Sequence, residues 1–112
     1  MSAAYDRDRL VELFGDDPAT LAEIEREFFD TARDAAQEIA GTDDLATIAR
    51  AAHRLKGASG AIGAAVLQRI SGEIERTAKA GDLMGVRRME GPLHVDILRV
   101  AEQAGLDGSE LR

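Results

Sequence analysis

The chain has 112 residues, 14 Lys and Arg against 21 Asp and Glu, a formal net charge of −7, two His, and no Cys or Trp. That length fits one domain, which typically takes roughly 100–200 residues. The counts exclude a disulfide framework and a thiolate metal centre, and they argue against a basic nucleic-acid surface or a base-stacking aromatic platform.

No segment reads as a leader or a membrane span. Asp6, Arg7, Asp8 and Arg9 break up the N-terminus, and no apolar run reaches the roughly 18 residues a span needs. A soluble cytoplasmic protein is the expectation, with no membrane and no nucleic-acid partner.

The periodicity is helical nearly throughout, and no stretch alternates apolar and polar residues as a strand would. A short first helix is expected over Arg7 to Phe14, with Leu10, Val11 and Phe14 on one side. Gly15-Asp16-Asp17-Pro18 ends it and starts the next, with Asp17 as N-cap and Pro18 at the first helical position, where a missing N–H costs nothing. The second helix runs to about Ala40, with Leu21, Ile24, Phe28, Ala32, Ala35 and Ile39 at helical spacing. Gly41 closes it, and Thr42-Asp43-Asp44 caps the third, expected from about Asp44 to Ala61. The fourth runs from near Gly63 to near Ala80 on a stripe of Leu67, Ile70, Ile74 and Ala78, and Gly81-Asp82 closes it. The fifth starts near Leu83. Val86, Met89, Leu93, Ile97, Val100 and Ala104 keep phase across Gly91-Pro92, which predicts one kinked helix, with a split at Pro92 as the alternative.

The expected fold is therefore all-α: an antiparallel up-and-down four-helix bundle with a short extra N-terminal helix, because short connections make successive helices antiparallel neighbours. It is read as a single domain over residues 1–112, with a frayed tail after about residue 105. The start at Met1 favours a complete protein over a piece of a larger one.

The third helix holds an anomaly. With Ile48 at zero on a helical wheel, Leu45, Ile48, Ala52, Leu55, Ser59 and Ile62 span roughly −40° to +60°. His53 then lies near 140°, Gly57 near 180° and Gly60 near 120°, all away from the core. A Gly inside a helix costs roughly 0.8–1 kcal/mol relative to Ala. Two of them on the water side of an exposed His suggest clearance for something large lying flat on the helix. Arg50 and Lys56 flank the same face. A cation three residues from an imidazole disfavours a charge on the ring but favours an anion carried by it. Neutral imidazole has a free lone pair at neutral pH and can take a phosphoryl group from an acyl phosphate. If the third and fourth helices form a hairpin turning near Ile62-Gly63, Glu75 comes level with His53 from the flank of its stripe, a candidate to fix the ring tautomer. No second His or carboxylate stands four residues after His94 to form a metal pair with it, so no metal site is expected.

The run Ala52-His53-Arg54-Leu55-Lys56-Gly57-Ala58-Ser59-Gly60-Ala61-Ile62-Gly63 resembles the phosphorylation-site signature of histidine-containing phosphotransfer (HPt) domains. Leu10 to Phe14 with Gly15-Asp16-Asp17-Pro18, Phe28-Phe29, and the fourth helix through Ala80-Gly81-Asp82 are similar to that family too, and only the Gly91-Pro92 pair departs from it. The resemblance implies that His53 accepts a phosphoryl group from a receiver-domain aspartate and passes it to another receiver. Lys56 would lie beside the phosphoryl group, Gly57 and Gly60 would leave room for the receiver, Glu75 would lie near the imidazole, and Arg50 is a candidate receiver contact. The implied partners are response-regulator receiver domains and a hybrid histidine kinase. No cofactor is expected on this chain, Mg²⁺ belonging to the receiver, and no kinase activity, since nothing here binds ATP. A monomer is expected. The competing readings are a helical adaptor binding through the same face without phosphorylation, and the phosphoacceptor part of a histidine kinase.

Overall fold

The computed structural model describes residues 3–111. It contains five α-helices, α1 (Arg7–Phe14), α2 (Pro18–Ala40), α3 (Leu45–Ala61), α4 (Ala65–Lys79) and α5 (Leu83–Ala104), followed by a 3₁₀ turn at Gly108–Leu111. There is no strand among the described residues. Aspartates start four of the helices. Asp6, Asp17, Asp44 and Asp82 each accept a hydrogen bond from the backbone N–H three residues on, relieving donors that no helical carbonyl can reach. Only α4 begins without a side-chain cap. The helix boundaries lie within one or two residues of the sequence expectation, as frayed ends allow.

The long helices close a ring of contacts, α2 against α3 and α5, and α4 against α3 and α5. The molecule is 44 Å long and 25 Å across. Its core is aliphatic, with Leu21, Ile39, Ile48, Leu55, Leu67, Ile74, Leu93 and Ile97 sealed from water around Phe29. The apolar stripes are what drive the helices together. No described helix is long and apolar enough to cross a membrane. α5 runs unbroken through Pro92. Gly91 and Pro92 both face solvent, so water can serve the carbonyl that the proline ring cannot.

Each end of the ring is fastened. At one end Arg87 of α5 donates to the Ile39 carbonyl at 2.8 Å and to Asp43 Oδ1 at 2.8 Å, clamping the α2–α3 connection. At the other end residues 4–6 reach partners at the C-terminal ends of α3 and α5 and on α2. Gln103 Oε1 accepts from the Ala4 N–H at 2.7 Å, the Asp6 N–H donates to the Ile62 carbonyl at 3.0 Å, and the Tyr5 hydroxyl donates to Glu25. Gly63, at φ +70°, makes the α3–α4 turn in the left-handed region, and a Cβ there would stand 2.7 Å from Asp6 Cβ. The sequence reading assigned no role to Ala4, Tyr5 or Gln103. After Gly105 the chain does not simply trail off: Leu106 packs on the core and its N–H donates to the Ala101 carbonyl at 2.8 Å.

Candidate functional site

α3 is pinned by Ile48, Ala51, Ala52, Leu55 and Ser59, all fully buried. That choice of face turns His53 outward, its side chain 68% exposed. α4 buries Leu67, Ile70, Ile74 and Ala78, and at the edge of that stripe Glu75 is pressed against α3 with its side chain only 8% exposed. A carboxylate so placed is costly unless donors surround it. Three do. The His53 ring meets Glu75 Oε2 through Nδ1 at 2.8 Å, Lys56 Nζ reaches Oε1 at 2.7 Å, and Lys79 Nζ reaches Oε2 at 3.1 Å.

The Lys56 ammonium, with Lys79 and His53 behind it, holds the Glu75 carboxyl down to about 2, against the opposing effect of burial. Glu75 is therefore ionised at neutral pH and can only accept hydrogen bonds. The tautomer follows: the neutral ring carries its hydrogen on Nδ1, and Nε2 keeps the lone pair. The arrangement presents an oriented nucleophile on an open helix face, with two ammonium groups nearby.

The other predicted site residues fall into different places. A Cβ at Gly57, one turn on from His53, would meet nothing within 4 Å, so the helix surface there is bare. At Gly60 a Cβ would stand 2.9 Å from Gln68 Nε2, so that space is taken up by a side chain of α4. Arg50 is exposed and lines the same shallow depression as Ala49, His53, Glu75 and Lys79, but its guanidinium donates to Thr47 Oγ1 at 3.3 Å and does not join the Glu75 network. Lys56 bonds Glu75 and runs its stem over α4, where a Cβ at Gly72 would lie 3.4 Å from Lys56 Cδ. His94 is half-buried elsewhere, beside Ala36, Gln37 and Glu90. Among the described residues no three His, Asp or Glu side chains gather into a metal-binding group.

Lys79 and Gly72 were not singled out from the sequence. The signal for Lys79 was available, since it lies four residues after Glu75 and therefore on the same face of α4. Gly72 gave none, and a Cβ there would make only ordinary contact with Lys56 of α3.

No curated protein and no solved structure matches this chain. The family model of the Hpt domain matches residues 10–104, a span that contains His53, Lys56, Gly57 and Glu75. The chain belongs to the Hpt domain family, whose members serve phosphotransfer in two-component signalling together with receiver domains and histidine kinases.

Proposed function

We infer that this protein is a phosphorelay intermediate that takes a phosphoryl group onto His53 from the aspartate of one receiver domain and passes it to the aspartate of another. The observation that carries this is the pairing of an exposed ring with a fixed Nδ1–H, which leaves Nε2 as the attacking atom. The Nε2 lone pair attacks phosphorus in line, the Nε2–P bond forms, and the bond from phosphorus to the aspartyl oxygen breaks with its electron pair returning to the carboxylate. In the second transfer a receiver carboxylate attacks phosphorus and the pair returns to Nε2. Lys56 balances the phosphoryl charge, Glu75 orients the ring, Gly57 admits the receiver surface, and Arg50 touches the receiver at the rim, whereas the space at Gly60 is filled by Gln68.

The chain on this reading is a carrier without kinase activity of its own. It needs no cofactor, Mg²⁺ being held by the receiver, and its partners are response-regulator receivers and a hybrid histidine kinase. We read the fold as one domain, an antiparallel up-and-down four-helix bundle, supported by the short connections and the ring of contacts between its long helices. A bundle complete within one chain supports a monomer, and a receiver partner supports a cytoplasmic location. The test is incubation with a phosphorylated receiver. The expected product is an acid-labile, base-stable label that disappears in His53→Gln and moves on to a second receiver. Labelling that persists in His53→Gln overturns the assignment, as does receiver binding with no label at all, which is the behaviour of an adaptor.

A further inference from the structure

Glu75 has two carboxylate oxygens and three cationic or N–H partners, so one oxygen is shared. Oε1 belongs to Lys56. Oε2 accepts from His53 Nδ1 at 2.8 Å and also faces Lys79 Nζ at 3.1 Å. The Lys79 side chain is 66% exposed, whereas the Glu75 side chain is sealed to 8%. The lysine therefore comes to the carboxylate from the solvent side and draws on the same oxygen as the imidazole.

We propose that Lys79 is a positioning residue that sets the lifetime of the phosphorylated imidazole by competing with His53 for Glu75 Oε2. The proposal rests on the phosphorelay reading above. Attack through Nε2 yields a phosphoimidazolium that still carries its hydrogen on Nδ1. In that form the departing group in the next transfer, or in hydrolysis, is a neutral imidazole. Once the Nδ1 proton has gone to water, the departing group would be an imidazolate, and phosphorus is released far more slowly. The grip of Glu75 on Nδ1–H therefore sets how much of the phosphorylated protein is in its reactive form at a given pH. A lone carboxylate would hold that proton strongly. Lys79, sharing Oε2, weakens the hold, and Lys56 does so from Oε1. The groups facing the ring and its carboxylate are thus Lys56 and Arg50 from α3 and Lys79 from α4. Lys79 is the more exposed of the two lysines and sits on Oε2, so its removal leaves the Lys56 bond to Oε1 in place.

The experiment uses the full chain, labelled on His53 by a phosphorylated receiver or by phosphoramidate, and follows loss of the label from pH 5 to 9. In Lys79→Met the proton is retained to higher pH. The midpoint of the rate profile moves up by roughly half a unit, about threefold in proton affinity, and the label decays faster at neutral pH. Lys79→Arg restores the original profile. In a Glu75→Gln background the Lys79→Met change moves the midpoint by less than half as much, because the carboxylate charge that both groups draw on is gone. A label on His53 whose profile is the same in Lys79→Met, or a shift of equal size in the Glu75→Gln background, overturns the role of Lys79 and leaves the phosphorelay reading standing. Failure of His53 to take label from either donor overturns that reading, and this one with it.

Discussion

Two glutamates in this molecule are buried to the same degree, the side chains of Glu75 and Glu25 each 8% exposed, and each holds the polar hydrogen of an aromatic side chain. At the N-terminal segment, Glu25 accepts from the Tyr5 hydroxyl, with Arg7 Nε 3.9 Å away. Tyr5 is itself only 2% exposed, so both partners are sealed. Burial and the adjacent carboxylate push its phenol well above the ordinary range. At the middle of α3 and α4, Glu75 is sealed but His53 stands 68% exposed, and two lysines complete the carboxylate's shell from the solvent side. The chemistry of the acceptor is the same in both places. What differs is the far side of the aromatic ring. Where it meets the core, the pair fastens the N-terminal segment across α2, α3 and α5. Where it meets water, the pair orients an exposed imidazole.

The sharpest way to break that contrast is to remove each aromatic in turn. His53→Gln should abolish phosphoryl labelling while moving the urea midpoint little, within about 0.5 kcal/mol for an exposed side chain. Tyr5→Ala should do the reverse, costing about 3 to 5 kcal/mol in urea denaturation by opening a cavity and stranding Glu25, with labelling of the folded fraction retained. If Tyr5→Ala costs as little as His53→Gln, the Tyr5–Glu25 pair does not fasten the N-terminal segment.

The pH dependence of unfolding separates the two regions from opposite directions. Glu75 has its carboxyl depressed from 4.5 to about 2, so the unfolded chain binds its proton first and stability from this network is lost as pH falls from about 4.5 towards 2. Tyr5 has its phenol raised above 10.0, so its contribution is present below that value and is lost as pH rises beyond it. Glu75→Gln should therefore flatten the acid limb and Tyr5→Phe the alkaline limb, each leaving the other limb in place, as followed by circular dichroism.

The smallest expected effect bears on the open face alone. Gly57→Ala should stabilise the protein by about 0.8 to 1 kcal/mol, the helix propensity difference, since the new methyl meets nothing. It should slow labelling by a phosphorylated receiver several-fold while leaving labelling by phosphoramidate unchanged, because a small donor does not need to lie along the helix. Equal slowing with both donors would place the cost in the His53 ring itself and not in clearance.

Most of the helical frame was legible because it is written in local rules. Asp17 before Pro18, the aspartates at 44 and 82, and stripes recurring every three or four residues each act within one helix. The exposure of His53 was legible for the same reason, since fixing one face of α3 in the core fixes the opposite face in water. Gly60 shows where that reasoning stops. The wheel places it towards solvent, yet Gln68 from α4 occupies the space, and no property of α3 alone could show it. The strap from Ala4 to Asp6 was equally hidden, because its partners Glu25, Ile62 and Gln103 lie on three separate elements far along the chain.

The sequence by itself thus determined the helices, their buried faces, the single exposed His with bare helix beside it, and the family signature around it. Only the tertiary structure decided what the buried carboxylate holds. A helix sets direction through dihedral angles and spacing, but the meeting of Glu75 with His53, Lys56 and Lys79 depends on how α3 and α4 slide and rotate against each other, which packing of both helices settles together.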